Sequence, residues 1–419
     1  MQLSRALRGA STRTRAAQLV LWSALLALLS PQARPAAAQH SIDATGTVFY
    51  EKGGPLKMTV INPSAKANAQ IVEQLSLNAG WQADVVSGAS VAVVDAPGGS
   101  SVDAVTSATT LDDFRQVVNG GLGLRSDVAR FNANYSYGWE SDYRSQGFAF
   151  SAATDLFDRN TTLELGSARG WDEVCDLSQP QAEKPAERQR MPSSDGCFKS
   201  GAGRTQRPLD LHSVHGSWTQ AWTPIFNTQL VLSAQLFHGF QVNPYRAVWL
   251  GRAAAQEHHP EDRARYAATL AARLWLRPIG GALQAQVRGY RDTWDLMAVS
   301  AELAYERGIG DRFRFRVRGR YHIQGDAAFY SDDYSLMPRG QYFTGDRELS
   351  SMNSWAVGAQ FFLLGKPNAE GKVLGVLESF QFVLKADYLR YNFTDFHYGQ
   401  AAIPNRSAIF GTLGLNAAF

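Results

Sequence analysis

Five arginines alternate with apolar residues over one short stretch. Arg312, Arg314, Arg316, Arg318 and Arg320 share one parity; Phe313, Phe315, Val317, Gly319 and Tyr321 share the other. On an extended chain, residues two apart project from the same face. A guanidinium is planar, permanently charged and able to grip carboxylate or phosphate through two parallel hydrogen bonds. Such a row beside water makes a cationic wall that selects anions. The preceding segment carries Glu302, Glu306 and Ser300 on its own polar parity. Cross-strand pairing with those carboxylates neutralises part of the wall. Anion selection and simple bracing are therefore both open readings of these residues.

Three further constellations carry chemical potential. Asp84–Ser90 (DVVSGAS) and Asp103–Thr109 (DAVTSAT) look like the D-x-x-[ST]-[GS]-A-[ST] motif to which a periplasmic transferase couples FMN through a phosphoester. That likeness makes Ser90 or Thr109 the acceptor hydroxyl and FMN an alternative cofactor; the plain reading is a Gly/Ser-rich loop with no cofactor. Glu257, His258, His259, Glu261 and Asp262 hold metal-ligating groups. Adjacent histidines on a loop are poor ligand geometry, so the expectation is a solvated loop and no metal. Cys175 and Cys197 are the two cysteines, and both fall in the polar stretch 170–209. A disulfide between them is expected, closing a loop worth roughly 3 kcal/mol. No CxxC pair indicates redox exchange or zinc. No GxSxG elbow or recognisable triad indicates nucleophilic catalysis, so no enzyme class is indicated.

The elements that must position these groups are read from the chain's start. Arg5, Arg8, Arg13 and Arg15 precede an apolar core, Leu19–Leu29, and then the small residues Ala36–Ala38. That is the pattern of a secretory signal peptide over 1–38, leaving 39–419 as the mature chain. Five arginines leave with it, Arg34 included, so the formal charge falls from +3 to −2. Nothing in that balance points to nucleic acid. Beyond residue 39 no apolar run approaches the ~18 residues that a membrane helix needs.

Period-two alternation instead recurs throughout. Leu230, Leu232, Ala234 and Leu236 alternate with Gln229, Val231, Ser233 and Gln235; Phe131, Ala133, Tyr135 and Tyr137 alternate with Arg130, Asn132, Asn134 and Ser136. Strands are expected near 69–84, 115–125, 128–139, 144–156, 159–169, 210–222, 226–239, 265–277, 281–291, 297–306, 311–324, 351–364, 376–391 and 405–419. Two more precede them, Ile42–Tyr50 and Leu56–Ile61. Short links, such as Arg307–Gly310 and Pro278–Gly280, alternate with long ones, such as 85–114, 170–209, 240–264 and 325–350. This asymmetry distinguishes a transmembrane barrel from a soluble sandwich. The chain ends on Leu413, Leu415, Ala417 and Phe419, which resembles the terminal assembly signal of bacterial outer-membrane barrels, without an aromatic at Ala417.

Several stretches also resemble a bacterial family known as domain of unknown function 3570. They are Asp84–Ser90, Leu111–Phe114 (LDDF), Asn160–Leu163 (NTTL), Asn243–Arg246 (NPYR), Tyr290–Trp294 (YRDTW) and Tyr321–Tyr330 (YHIQGDAAFY), the last two being the most specific. The resemblance implies an outer-membrane barrel and brings no catalytic residues.

The expectation is thus an all-β fold: a single antiparallel transmembrane β-barrel of about 16 strands, with 14 as the alternative. Short turns face the periplasm and long loops the exterior. Its expected partners are outer-membrane lipid, the barrel-assembly machinery and small solutes. The expected role is a channel or transport barrel for small, anionic solutes. The alternatives are a scaffold of an extracytosolic redox system and a structural or adhesive surface protein.

Overall fold

The computed structural model describes residues 40–419 apart from 54–55, 89–93, 96–100, 103–110, 177–197, 199–204, 243–246, 250–253, 332–339, 367–370, 396, 399–400 and 403–405. Sixteen strands form one closed antiparallel barrel. In chain order they are β1 (His40–Gly53), β2 (Leu56–Val72), β3 (Leu75–Gly88), β4 (Leu111–Arg125), β5 (Ala129–Trp139), β6 (Tyr143–Leu156), β7 (Thr161–Asp176) and β8 (Thr205–Thr223). They continue with β9 (Phe226–Gly239), β10 (Asp262–Leu276), β11 (Gly281–Asp292), β12 (Met297–Ile309), β13 (Phe313–Gln324), β14 (Met352–Leu364), β15 (Ser379–Phe393) and β16 (Arg406–Ala418). Each pairs with its sequence neighbours. The ring closes where β1 meets β16, from Ser41↔Ala418 to Lys52↔Ser407. Residues 94–95 with 101–102, 247–249 with 254–256, and 397–398 with 401–402 form small separate hairpins at the loop end.

The alternation seen in the sequence sorts side chains between two surfaces. Leu165, Leu270, Leu303 and Ile409 point outward and are 67, 57, 55 and 56% exposed. Their strand neighbours turn toward the lumen. Aromatic girdles bound this apolar band. Tyr50, Tyr321, Trp355 and Tyr388 lie toward the loop end; Phe131, Phe313 and Phe361 lie toward the turn end. An exposed apolar band between aromatic girdles is the surface that acyl chains cover. No helix among the described residues is long and apolar enough to cross a membrane; here the strands do the crossing.

Three boundaries differ from expectation for physical reasons. β2 runs eleven residues beyond Ile61 and turns at 73–74, so the expected 69–84 strand is the end of β2 plus β3. Its outward face there is Pro63, Ala65, Ala67 and Ala69, too weakly apolar for alternation to show. The β2–β3 register passes from Ile61↔Val85 to Ser64↔Gln82, skipping Pro63, which has no N–H to give. β7 and β8 also extend further than expected, because polar pairs such as Glu173↔Pro208 and Cys175↔Gln206 continue the ladder beyond the apolar band. The link 365–378 is the exception to the short turns. It is pinned by the Val373↔Leu377 bridge and carries exposed Leu374 and Val376.

This two-faced wall makes a testable prediction. Leu270→Arg, on the lipid face of β10, should lower the unfolding free energy by about 2–4 kcal/mol, while Thr269→Arg on the lumen face should cost far less. Urea unfolding in lipid vesicles measures both. Equal losses would contradict the orientation assigned here.

Candidate functional site

The site is the lumen, and its positively charged wall is built on β13. Arg314, Arg316, Arg318 and Arg320 face inward; Phe313, Val317, Tyr321 and Ile323 are exposed outside. Arg312, expected as the fifth rung, is not on the strand. It sits exposed in the turn before Phe313, where its carbonyl accepts from Leu364 N–H. The alternation read from sequence continued one residue past the point where the chain turns at Gly310.

Glu302 and Glu306 face the same lumen from β12. The ladder sets Glu302 opposite Arg320 and Glu306 opposite Arg316. The ion pairs run diagonally instead: Glu302 to Arg318 and Glu306 to Arg314, both at 3.5 Å. Long side chains reach such diagonal partners across a sheet. Asp387 on β15, missed by sequence reasoning, accepts from Arg318 Nε at 2.8 Å and lies 3.4 Å from Lys385 Nζ. Arg314 also stacks over Phe362, 4.4 Å from its centroid. Arg316 donates to the Gln284 amide.

At the loop end the lumen is filled by chain. The loop between β13 and β14 folds inward and presents Arg347, 2% exposed, from a single 3-10 turn at Arg347–Leu349. Glu51 on β1, fully buried, accepts from Arg406 on β16 at 2.6 Å and from Arg347 at 3.3 Å. Burial pushes the Arg347 guanidinium down to about 10 against the pull of Glu51, so it stays charged at neutral pH. An apolar cluster packs around this triad: Phe49, Met58, Val60, Met352, Tyr391, Ala408 and Phe410.

The loop between β9 and β10 joins it. Its Glu257 and His259 were expected to be solvated; they are 4% and 6% exposed and lie 3.3 Å apart. Glu257 accepts from Thr344 Oγ1 at 3.0 Å and from Gly345 N–H at 3.1 Å, and His258 bridges to Phe343. Glu261 and Asp262 remain exposed, and Asp262 contacts His238 at 2.6 Å. Among the described residues no group of metal-ligating side chains is assembled.

The two most specific stretches of the sequence resemblance meet here. In Tyr290–Trp294, Asp292 accepts from Tyr290 Oη at 2.8 Å, Arg263 Nε at 2.9 Å, Trp294 N–H at 3.0 Å and Leu296 N–H at 3.1 Å. Arg263 lies 3.8 Å over the Trp294 ring. From Tyr321–Tyr330, Ala327 and Phe329 pack on Trp294, and Ala328 N–H donates to its carbonyl. Their shared work is to dock the inward loop against β11. Alternation could not reveal this, but two Trp/Tyr/Asp-rich motifs at loop boundaries were a usable signal.

Among the described residues two cavities line the lumen. The upper one, about 590 Å³, lies beneath the docked loops and is lined by aromatic and mostly partnered charged groups. Asn62 donates to Asp84, Tyr143 donates to Asp172, and Arg265 stacks on Phe237 at 4.5 Å. The lower one, about 390 Å³, lies at the turn end against β7–β13. Cys175, at the loop end of β7, is fully buried and disulfide-bonded. Cys197, Ser90 and Thr109 lie outside the described residues.

A closed sixteen-strand wall with an apolar exterior and a charged lumen defines a β-barrel of the outer-membrane type. The chain belongs to the family described as protein of unknown function (DUF3570), which matches residues 13–374. No curated protein matches the sequence. Among solved structures, the fold is similar to a bacterial polysaccharide outer membrane secretin, with a TM-score of 0.50 and 8% identity over 90% of this chain and 97% of that one. Pseudomonas aeruginosa OccD3 matches with a TM-score of 0.41 and 8% identity, covering 93% of this chain and 94% of that one. Pseudomonas aeruginosa OpdK with vanillate matches at 0.38 and 9%, covering 91% and 98%.

Removing one member of the buried triad tests the loop docking. Glu51→Ala leaves two buried guanidinium groups uncompensated, which should cost about 3–5 kcal/mol. Hydrogen exchange should rise in 340–351 while the strands stay protected. Unchanged exchange there would show that the triad does not hold the loop.

Proposed function

We propose that this protein is an outer-membrane channel that passes small anionic solutes. One observation carries the reading: the cationic wall of the lumen is only partly neutralised. Below the level of the Arg263–Asp292 pair, the inward cations on β10–β15 are Arg273, Arg288, Arg314, Arg316, Arg318, Arg320 and Lys385. The inward carboxylates facing them are Glu302, Glu306 and Asp387. Arg288 projects into the lumen exposed and, among the described residues, unpaired. A barrel of this strand number has room for an aqueous passage. A ring of guanidinium groups favours anions through charge while leaving hydrated solutes mobile.

The docked loops narrow the passage on the exterior side, as inward loops do in large barrels. Solutes then meet the mixed-charge upper cavity before the cationic wall. The bracing role of the wall is not in conflict with this. The diagonal Glu–Arg pairs hold the backbone register, and the unpaired cations set the potential.

Planar-bilayer recordings with purified barrel test the reading. In a salt gradient the reversal potential should indicate anion preference. The combined variant Arg288→Gln, Arg316→Gln should bring it toward zero while conductance persists. Absence of conductance, or preference for cations, would sink the proposal.

A further inference from the structure

The lower cavity differs from the rest of the lumen in what its polar groups are doing. Around the mouth Glu51 and Asp292 are each paired with buried guanidinium groups. Here the opposite holds. Arg159, from the turn between β6 and β7, and Arg273, near the turn end of β10, line the same cavity as Arg316. Neither Arg159 nor Arg273 makes an ion pair or side-chain hydrogen bond among the described residues. Arg316 is engaged only by the neutral Gln284 amide. The single carboxylate on the lining, Glu302, is taken by Arg318 at 3.5 Å.

The neutral groups repeat the pattern. Asn227 on β9 and Gln286 on β11 line the cavity with amides that have no side-chain partner among the described residues. Gln229, also on the lining, donates to Thr219 Oγ1 at 3.2 Å, which leaves its amide oxygen without a donor among the described residues. Among the described residues no aromatic side chain lines this cavity, in contrast to the upper one with Tyr143, Phe237 and Trp294. Its volume falls in the range of small-molecule sites.

From these groups we infer a binding site for a polyhydroxylated oxyanion: a phosphate or carboxylate carried on a sugar-like frame. Arg159, Arg273 and Arg316 supply converging donors for the anion, and guanidinium groups bind such oxygens bidentately. Free amides each offer donor and acceptor, which matches the dual character of hydroxyl groups. The lack of an aromatic face removes any gain for a flat ring. The site rests on the channel reading and names the class of solute that pauses in it. Its place, at the turn end, makes it the last station before the periplasm.

Isothermal titration of the folded barrel in detergent micelles tests the site without requiring current. Glucose 6-phosphate should bind saturably, and at least tenfold more tightly than either glucose or inorganic phosphate at matched ionic strength. Arg273→Gln should weaken it at least tenfold. Arg159→Gln, in an exposed turn where misfolding is not at stake, should do the same. Asn227→Ala should weaken glucose 6-phosphate and leave inorganic phosphate unchanged. Glucose binding as tightly as its phosphate removes the anion subsite. Inorganic phosphate binding as tightly removes the hydroxyl subsite, and full affinity in both arginine variants removes the assignment. A barrel that binds but carries no current supports the site and overturns the channel; one that conducts but does not bind overturns the site alone.

Discussion

Hydrocarbon offers no hydrogen bonds, so every backbone N–H and C=O that crosses it must be paired within the protein. That constraint accounts for the closure of β1 on β16 along the whole of both strands. An open edge there would leave a row of unsatisfied groups facing lipid. Closure in turn fixes orientation. Once the ladder is continuous, side chains alternate between lipid and lumen except at register shifts such as Gln70–Val72 and Ala221–Thr223, and a residue's parity decides its solvent. The chain meets this by placing Val, Leu and aromatic residues on one parity and Arg, Gln, Asn, Ser and Thr on the other.

An interior built on those terms has no conventional core along most of its height. Apolar packing is confined to the loop end, where inward residues of β1, β2 and β14–β16 cluster and the β9–β10 and β13–β14 loops dock. The docked loops bring charges into this dry region, and each is answered locally. Glu51 lies between two arginines, Glu257 is met by His259 and Thr344, and Asp292 receives four donors. Burying a charge without such partners costs several kcal/mol. The mouth is therefore the rigid part of the lumen, held by polar networks as much as by packing.

The wall was legible in the sequence because the physical rule behind it is strictly periodic. All sixteen strands, the side of the long loops and the inward parity of Arg314–Arg320 follow from alternation and link length. Legibility failed where the rule weakens. β2 hid because alanine and Pro63 replace larger apolar residues on its lipid face. Arg312 was misplaced because alternation in sequence does not mark where a strand ends. The burial of Glu257 and His259 depends on a loop folding back against residues more than thirty positions away, notably Trp294 and Phe329, and no local period encodes that. Asp387 was passed over for a related reason: its significance comes from a diagonal reach to Arg318 across β14, which only three-dimensional neighbours reveal.

On the proposed channel reading, the distribution of charge within the lumen separates residues that fold the barrel from residues that serve passage. Where chain excludes water, as at Glu51, Arg347 and Arg406, no guanidinium is left without a carboxylate or ring, because desolvation would otherwise be uncompensated. Where water reaches the wall, at Arg159, Arg273 and Arg288, the guanidinium groups stand exposed and unpaired among the described residues. Hydration alone sustains them, so pairing them is not required for folding, and their charge stays available to a solute. Near the turn end paired guanidinium groups, Arg314 with Glu306 and Arg130 with Asp155, stand among the unpaired ones. On the proposed channel reading, an anion that passes the docked loops meets these unpaired guanidinium groups on the lower wall.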